Sequence, residues 1–375
     1  LLVGDLYMLL IKTERDNILT PLQSVCGIIE KRHTLPILSN VLIEKNGNQL
    51  TLLATDIEIQ IRTHTAGEGG GEKSAVTVGA RKLQDILRSL PENAVVSLEL
   101  TDKRMQVRAG KSRFNLQTLP AEDYPRMAQS DSEQARLQLT QKQFKRLIGL
   151  VQYAMAQQDI RYYLNGLLLV VTGNEIRVVA TDGHRLAYAS EALSESPPRT
   201  EVILPRKTII ELSRLLADND DALDIHLSPN QAMFRFGDIE LVSKLIDGKF
   251  PDYDRVIPQN HNKVITIPRT VLLQSLHRAA ILTNEKFRGV RVVLAQGSLK
   301  IISSNADQEE AQEELEVSYD AEALDIGFNV TYLLDVLNNV SNEAVEIRLA
   351  DANSSALITL PGNDRFKYVV MPMRI

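Results

Sequence analysis

The stretch LTLLATDIEIQI, at residues 50–61, decides the fold because it returns further along the chain. Residues 176–190 read IRVVATDGHRLAYAS, so Thr55 and Asp56 recur as Thr181 and Asp182, 126 positions later. A third stretch, LKIISSNADQEEAQEEL, begins at Leu299 and places its polar turn about the same distance further on. Strand-like segments that repeat at this spacing predict three copies of one structural unit, each of about 125 residues.

Helical patterns recur in the same phase as these strands. The first helix of each unit is predicted at residues 15–29, 141–153 and 269–282, and the second begins at Arg81, Pro205 or Val330. Apolar residues at i, i+3, i+4 and i+7, which are typical of a helix with one buried face, follow Arg81 as Leu83, Ile86, Leu87 and Leu90. Short β-prone stretches between the helices predict antiparallel strands. Each unit is therefore expected to be α+β, with two helices packed on antiparallel sheet.

Two proline-bearing segments mark the ends of units. EDYPRM at residues 122–127 and FPDYDRVIP at residues 250–258 give predicted domains of residues 1–127, 128–255 and 256–375. Residues 1–7 are interpreted as an extension without a targeting signal, because Asp5 interrupts the apolar run and no basic residue precedes it. The glycine-rich GEGGGE at residues 67–72 is predicted to be a flexible hairpin loop without packing contacts.

The composition is that of a globular protein, and its charge is unevenly distributed. The chain of 375 residues is 44% hydrophobic and 24% charged, which excludes a mainly disordered class. Its net charge is -6, yet the six predicted helices together carry +8 and the remainder carries -14. If these helices share one face, they would present a basic lining to a phosphate backbone. The alternative is that lysine and arginine simply favour helix surfaces.

Searches for catalytic motifs give no candidate nucleophile, metal site or cofactor site. GKS at residues 110–112 ends like a phosphate-binding loop, but Met105 stands where that motif needs glycine. The acidic run at residues 218–224 lacks the spacing of a calcium loop and is predicted to be a solvated loop. The six histidines are scattered without the paired spacing of a zinc site. The single cysteine, Cys26, shares a helix face with apolar residues and is predicted to be a core thiol.

Two segments are unusual for a protein without an active site. TDGHRLA at residues 181–187 is a polar turn between strand runs, and the chain ends in VVMPMRI at residues 369–375. Methionine adapts its shape to different apolar partners, so the two methionines around Pro372 are candidate lining residues of a binding pocket. The alternative is a last strand buried in its own domain. Both interpretations hold if only the two valines face inward.

Longer blocks carry a resemblance to a known family. The blocks are RYYLNG at residues 161–166, TDGHRLA at 181–187, FPDYDRVIP at 250–258, NEKFRGVR at 284–291 and the terminal VVMPMRI. Together with the threefold repeat, they resemble the bacterial sliding clamps, the beta subunits of DNA polymerase III, from Met8 to Ile375. The resemblance implies a non-catalytic processivity factor with the DNA clamp fold, closed into a head-to-tail homodimeric ring around duplex DNA.

The resemblance also implies roles for individual residues. Contacts to duplex DNA are implied for Arg32, Lys142, Gln158, Tyr162, Tyr163, Arg206 and Lys207. A pocket for partner peptides is implied for Leu164, Thr181, Gly183, His184, Arg185, Leu186, Pro251, Arg255, Val256, Phe287, Asn329, Tyr332, Val369, Met371, Pro372, Met373 and Arg374. The dimer contact is implied for Phe114 and Leu116 on the first domain, with Ile281 and Leu282 on the third.

The implied partners are double-stranded DNA, a second copy of the chain, the DNA polymerase III catalytic subunit, the clamp loader, and other polymerases and repair proteins that carry clamp-binding peptides. The implied location is the bacterial cytoplasm, with no membrane, metal or cofactor. Asn353 stands where related clamps can carry an apolar residue, so a more polar pocket rim is expected. Two other classes stay open: a metal-dependent nucleic-acid enzyme such as a nuclease that uses residues 218–224, and a monomeric peptide-binding scaffold that never touches DNA.

Overall fold

The computed structural model describes residues 7–30, 34–101 and 103–375. The α-helices in these residues are α1 (Arg15–Cys26), α2 (Ala80–Ser89), α3 (Gln141–Val151), α4 (Arg206–Leu215), α5 (Tyr253–Val256), α6 (Arg269–Ala280) and α7 (Val330–Asn339). Short 3-10 helices lie at Pro36–Ser39, Ala121–Asp123, Gln152–Ala154 and Tyr162–Leu164. The six helices predicted from the sequence are all present. The single turn α5, within the FPDYDRVIP segment, was not predicted.

The strands fall into three sets that follow the repeats. The first set is β1 (Met8–Glu14), β2 (Asn40–Asn46), β3 (Gln49–Thr55), β4 (Ile59–Ala66), β5 (Ser74–Gly79), β6 (Val95–Leu100), β7 (Arg104–Ala109) and β8 (Ser112–Pro120). The second is β9 (Ala135–Thr140), β10 (Gly166–Thr172), β11 (Glu175–Thr181), β12 (Arg185–Ala192), β13 (Thr200–Pro205), β14 (Ala222–Leu227), β15 (Gln231–Phe236) and β16 (Ile239–Lys244). The third is β17 (Lys263–Pro268), β18 (Gly289–Ala295), β19 (Ser298–Ser304), β20 (Glu310–Glu316), β21 (Leu324–Asn329), β22 (Ala344–Leu349), β23 (Ala356–Leu360) and β24 (Asn363–Val370). Apart from α5, each repeat runs strand, helix, four strands, helix, three strands.

Each repeat supplies two four-stranded antiparallel blocks. In strand order these are β1-β6-β7-β8 and β5-β2-β3-β4, then β9-β14-β15-β16 and β13-β10-β11-β12, then β17-β22-β23-β24 and β21-β18-β19-β20. The chain divides into two compact units, Leu1–Lys142 with Arg214–Leu245, and Gln143–Ser213 with Ile246–Ile375. In the first unit, pairing of β4 with β16 completes a 12-stranded sheet. In the second, pairing of β12 with β24 makes an 8-stranded sheet, and β18–β21 form a separate 4-stranded sheet.

The repeated Thr-Asp pair builds the same turn in both copies. The Thr55 hydroxyl donates to the Ile59 carbonyl at 2.8 Å, and the Asp56 carboxylate accepts two backbone amides of the turn at 2.9 and 2.7 Å. Thr181 and Asp182 make the corresponding hydrogen bonds in the second copy. These bonds satisfy backbone groups that the end of a strand leaves unpaired. The repeat in sequence is therefore a repeat of turn chemistry.

The helices bury the faces that their spacing predicts. In α2, Leu83 and Leu87 are fully buried and Ile86 is half-buried. The helix α1 packs against α2, and α6 packs against α7, so these helices cover sheet in pairs. Among the residues that the structure describes, no helix has the length and apolar character needed to cross a membrane.

The glycine-rich loop at residues 67–72 has packing contacts, so the prediction that it would have none is wrong. Glu68 forms an isolated β-bridge with Lys12, through backbone hydrogen bonds of 2.7 and 2.9 Å. A Cβ atom at Gly67 would lie 2.8 Å from a side-chain carbon of Ile11. The loop approaches β1 closely because glycine has no side chain there, and composition alone does not reveal this contact.

Candidate functional site

The turn at residues 181–185 carries four of the candidate pocket residues, Thr181, Gly183, His184 and Arg185. Gly183 has a φ of +89°, a left-handed conformation that glycine adopts without strain. A Cβ atom at this position would lie 2.9 Å from the guanidinium of Arg161. The same guanidinium donates through Nη2 to the Asp182 carbonyl at 3.2 Å. Both the backbone conformation and the packed arginine therefore require glycine at position 183.

Arg185 is held by internal partners, which the sequence does not indicate. Its Nε donates to Asp182 at 3.2 Å, its Nη1 to Asp335 at 2.5 Å, and its Nη2 to the Tyr153 carbonyl at 2.7 Å. Its Cζ lies 4.6 Å from the centroid of the Tyr332 ring, a cation–π contact. Burial acts to lower the pKa of Arg185, but a neighbouring tyrosine and the two carboxylates outweigh it and raise that pKa above its usual value. Arg185 therefore organises the site, and its N–H groups are largely committed within the protein.

Three apolar residues that the resemblance assigns to the pocket are buried. Leu164, Leu186 and Val369 belong to one apolar cluster and are almost fully inaccessible. The same cluster contains Phe250, Tyr253 and Ile257. The FPDYDRVIP segment thus packs onto the sheet, and the three assigned residues form a floor beneath the site.

Among the apolar pocket candidates, Val256, Phe287 and Met371 are exposed. Phe287 follows α6 in a loop shaped by Asn284, whose side-chain oxygen accepts the amides of Lys286 and Phe287 at 3.0 and 3.2 Å. Exposed apolar side chains supply surface that a partner covers on binding. These three residues are therefore candidates for direct contact.

An aromatic pair stands at the N-terminal end of α7. The rings of His184 and Tyr332 are stacked, with centroids 6.5 Å apart and planes 17° from parallel. Asn329 caps the helix, since its side-chain oxygen accepts the Thr331 amide at 2.9 Å. The Tyr368 hydroxyl donates to the Tyr332 carbonyl at 2.8 Å. His184 and Tyr332 thus form a fixed planar surface, whereas the side-chain oxygen of Asn329 is engaged in the cap.

The segment after β24 is held on two sides. The Met371 amide donates to the His184 carbonyl at 3.0 Å, and the Met373 amide donates to the Gly327 carbonyl at 2.9 Å. The two valines before it are buried, Met371 is exposed, the intervening proline is half-buried and Arg374 is exposed. The strand end therefore faces inward, and of the two methionines Met371 is exposed while Met373 is half-buried, so the methionine-lined pocket stays a prediction. Sequence reasoning missed Gly327, although glycine inside a strand signals a close backbone approach.

Exposed residues in and beside the single turn α5, and in a turn of the third repeat, belong to the proposed pocket and its rim. Pro251 and Arg255 are exposed, and Arg255 forms an ion pair with Asp252 at 3.0 Å. Asn353 is exposed in a turn in which its amide donates to the Asp351 carboxylate at 2.8 Å. An ion pair between exposed side chains contributes little to stability, so Arg255 is available to a partner.

The candidate DNA contacts include a rigid loop between α3 and β10. The Asp159 carboxylate accepts hydrogen bonds from the Arg161 amide, Nε and Nη2 at 2.8, 3.0 and 2.9 Å. These hydrogen bonds lower the pKa of Asp159 to about 2. The Asn165 side chain accepts the Asp159 amide and donates to its carbonyl, both at 2.9 Å. The loop is thereby fixed in one shape, with Gln158 and Tyr162 exposed.

Two more side chains complete the surface of this loop. Tyr163 is half-buried and packs edge-on against Tyr162, with ring centroids 5.8 Å apart. Ile160 is 96% exposed. Sequence reasoning missed Ile160, because a single apolar residue in a polar segment has no periodicity that would mark it.

The basic residues proposed to contact DNA differ in their exposure and in their partners within the protein. Lys142, at the start of α3, is exposed. Arg206 is half-buried and donates through Nη1 to the Met155 carbonyl at 3.3 Å, and Lys207 also has a partner within the protein. Arg32 lies outside the described residues. Arg206 and Lys207 are therefore less available to DNA than the sequence predicts.

The interface candidates also differ in exposure. Phe114 and Leu116 lie on β8, and Ile281 and Leu282 follow α6 directly. Leu116 is buried in its own protomer, and Phe114 and Leu282 are half-buried. Ile281 is 76% exposed. Ile281 is thus the member of this set that a second copy could cover most completely.

The described residues contain no arrangement suited to metal or thiol chemistry. In residues 7–30, 34–101 and 103–375, no group of three or more His, Cys, Asp and Glu side chains is placed to hold a metal ion. The acidic run at residues 218–224 makes internal hydrogen bonds, including one of 2.9 Å from the Asn219 amide group to Asp221. The prediction that Cys26 is a core thiol is wrong, because Cys26 is half-buried at the end of α1. Partial burial still raises its pKa to about 12.

Comparison with known proteins covers nearly the whole chain. Residues 9–128, 138–252 and 254–374 match the families of the N-terminal, central and C-terminal domains of the DNA polymerase III beta subunit. The beta sliding clamp of Pseudomonas putida KT2440 is 47% identical over 363 residues, which cover 96% of this chain and 99% of that protein. The beta sliding clamp of Escherichia coli K12 is 46% identical over 362 residues, with the same coverage of 96% and 99%.

Solved structures agree with the sequence matches. The crystal structure of the Pseudomonas aeruginosa DNA polymerase III subunit beta is similar with a TM-score of 0.95 at 45% identity, over 99% of this chain and 100% of that chain. The Pseudomonas aeruginosa clamp bound to griselimycin gives a TM-score of 0.94 at 45% identity, over the same 99% and 100%. Because all three domains match in order and the fold agrees along nearly the full length, the chain belongs to the bacterial beta sliding clamps, the non-catalytic processivity subunits of DNA polymerase III.

Proposed function

We propose that two copies of this chain close head to tail into a ring around duplex DNA. The observation that carries the proposal is a pair of unmatched sheet edges. β4 of the first repeat pairs with β16 of the second, and β12 of the second pairs with β24 of the third. In both cases the last strand of one repeat's second block pairs with the last strand of the next repeat's first block. The second block of the third repeat ends in β20, and the first block of the first repeat ends in β8. Within the described residues, β20 and residues 112–117 of β8 each have a partner on one side only.

The ring would close if the same pairing of block ends occurred once more, between two copies of the chain. If β20 of one copy pairs with β8 of the next, each copy uses both of these edges, and a closed ring leaves neither of them exposed. The sliding-clamp family supplies the number of copies, which is two. The three domains of each copy are proposed to be residues 1–127, 128–255 and 256–375.

The two edges carry opposite charge. The strand β20, EAQEELE, contains four glutamates, Glu310, Glu313, Glu314 and Glu316. Arg113 lies on β8, and Arg104 and Arg108 lie on its neighbour β7. Opposite charge favours the pairing of β20 with β8, and like charge disfavours the pairing of β20 with itself. Ile281, with Leu282, Phe114 and Leu116, supplies the apolar part of the proposed contact.

Inside the ring, duplex DNA is proposed to face the basic helices and the loop at residues 157–163. The helices carry +8 in a chain of net charge -6, so the field that attracts phosphate is local. Gln158, Tyr162 and Lys142 are the exposed candidates for direct contact, and Tyr163, Arg32, Arg206 and Lys207 complete the proposed set. Few phosphate contacts give weak, salt-sensitive binding, which allows the ring to slide.

Partners are proposed to insert a short extended segment between Val256, Met371 and the pair His184–Tyr332, above the floor of Leu164, Leu186 and Val369. A preformed apolar groove with a few polar groups is sufficient for such a segment. Asn353 would make one rim more polar. The proposed partners are the polymerase III catalytic subunit, the clamp loader, and other polymerases and repair proteins, all in the bacterial cytoplasm.

The test of the ring uses the topology of DNA. The chain is loaded onto a nicked circular plasmid with a bacterial clamp loader and ATP, free protein is removed, and the plasmid is cut once. We expect retention on the circle, loss after linearisation, and retention again when both ends of the linear DNA are blocked by bound protein. Equal retention on open linear and circular DNA would show simple electrostatic binding and would refute the ring.

A further inference from the structure

Asp335 is not among the residues assigned to any site, yet it binds Arg185 directly. The Arg185 side chain is only 10% exposed, and its Nη1 donates to the Asp335 carboxylate at 2.5 Å. Asp335 follows Tyr332 by three positions on α7, so the two side chains share one face of that helix. One helix thus supplies two contacts to the same guanidinium.

The two contacts act on different parts of the guanidinium. The N–H groups of arginine lie in the plane of the group, so Asp335 is bound at its edge. The Tyr332 ring lies against its face, 4.6 Å from Cζ. The remaining edge is held by Asp182 and by the Tyr153 carbonyl. With edge partners on both sides, the guanidinium is held in one orientation, and its face lies against the Tyr332 ring.

The Tyr332 ring also contacts a residue of the surface that a partner would meet. The Tyr332 ring stacks on His184, and the His184 carbonyl accepts the Met371 amide at 3.0 Å. Met371 is exposed beside this pair. A change at the guanidinium is therefore expected to reach the two stacked rings, beside which the His184 backbone holds Met371.

We infer that Asp335 is a positioning residue of the partner pocket, which orients Tyr332 and His184 through Arg185 and so prepares an apolar surface for a partner peptide. The inference rests on the proposed pocket. Without the carboxylate, Arg185 keeps its hydrogen bonds to Asp182 and Tyr153 but loses its edge contact with α7. The guanidinium and the Tyr332 ring are then free to separate. Asp335 itself does not touch the peptide.

The first test measures peptide affinity by fluorescence anisotropy, with a fluorescein-labelled synthetic peptide that carries the clamp-binding segment of the DNA polymerase III catalytic subunit. Asp335→Ala is expected to weaken binding about tenfold, the size of one lost hydrogen bond to a charged group. Asp335→Asn, which keeps the shape and one acceptor oxygen, is expected to weaken it about threefold. The matched control is Asp325→Ala, which removes an ion pair of 2.5 Å to Arg291 in the same repeat and is expected to change nothing.

The second test separates positioning from a general loss of structure. Peptide affinity is measured for Tyr332→Ala with and without Asp335→Ala, and the melting temperature of every variant is recorded. If Asp335 acts through Tyr332, its replacement weakens binding in the intact chain but adds nothing in the Tyr332→Ala background. An equal factor in both backgrounds, or wild-type affinity in Asp335→Ala and Asp335→Asn, overturns the inference while leaving the pocket in place. If the wild-type chain itself fails to bind the peptide, the pocket and this inference fall together.

Discussion

The exposed side chain of Ile281 offers a sharp test of the proposed ring. Ile281→Ala removes three carbon atoms from a residue that is 76% exposed in the protomer, so the protomer itself should lose little stability. A second copy would cover this side chain. At about 0.8 kcal/mol per buried carbon, and with about three-quarters of the side chain newly covered, each interface would lose about 1.8 kcal/mol.

A two-copy ring contains this interface twice. The dimer should therefore be destabilised by about 3.6 kcal/mol, which raises the dissociation constant of the dimer by a few hundredfold. Sedimentation equilibrium or mass photometry over a nanomolar to micromolar dilution series measures this change. We expect the variant to dissociate at concentrations at which the wild-type chain is still dimeric.

Val271→Ala is the matched control for this variant. Val271 is an exposed apolar residue on α6, close in sequence to Ile281 but outside the proposed contact. Its replacement should leave the dimer mass unchanged. If Ile281→Ala dissociates no more readily than Val271→Ala, Ile281 is not at the interface. If it lowers the melting temperature of the monomer strongly, Ile281 contributes to protomer packing instead.

Three further predictions concern buried and titrating groups. The Tyr153 hydroxyl is buried and makes no hydrogen bond to the described part of the chain, so Tyr153→Phe should leave the free energy of unfolding in urea unchanged or raise it by up to about 1 kcal/mol. Tyr368→Phe removes a hydrogen bond to a carbonyl of α7 and should lower that free energy by about 1 kcal/mol. A Tyr153→Phe variant that is less stable than Tyr368→Phe would contradict both expectations. Hydrogen bonds from Arg161 lower the pKa of Asp159 to about 2, so its stabilising charged form is present at neutral pH and is lost only as the pH falls through that value. Arg161→Gln should move the titration of the Asp159 carboxyl carbon, followed by NMR, to higher pH. An unmoved titration would show that Arg161 does not cause the low pKa. Burial raises the pKa of Cys26 to about 12, so at pH 8 the folded chain should react with a disulfide reagent far more slowly than the urea-unfolded chain, and equal rates would show that the thiol is accessible.

Much of the fold follows from local sequence signals. The spacing of Leu83, Ile86 and Leu87 predicts α2, because a helix brings residues three and four apart onto one face. The recurrence of Thr55-Asp56 at Thr181-Asp182 identifies the repeat, because the side chains bind backbone groups only a few residues away. The two helices of each repeat were predicted for the same reason, whereas the number and order of its strands came only from the structure. Each signal acts over one turn of helix or one turn between strands.

The availability of the site residues was decided by the tertiary structure. The sequence marks Arg185 and Arg206 as basic residues of a site, but both donate to internal acceptors. Leu116, which the resemblance assigns to the dimer contact, is buried within its own protomer. The glycine-rich loop packs on β1 because Gly67 meets Ile11, 56 positions earlier in the chain.

The sequence by itself determined the threefold repeat, the two helices of each repeat, the turn that carries His184 and the family to which the chain belongs. Only the tertiary structure decided which side chains are committed internally and which sheet edges have a partner on one side only. The physical reason is distance along the chain. Arg185 and Asp335 are separated by 150 positions, and a contact over that distance exists only after the sheets have paired, because no local pattern specifies it.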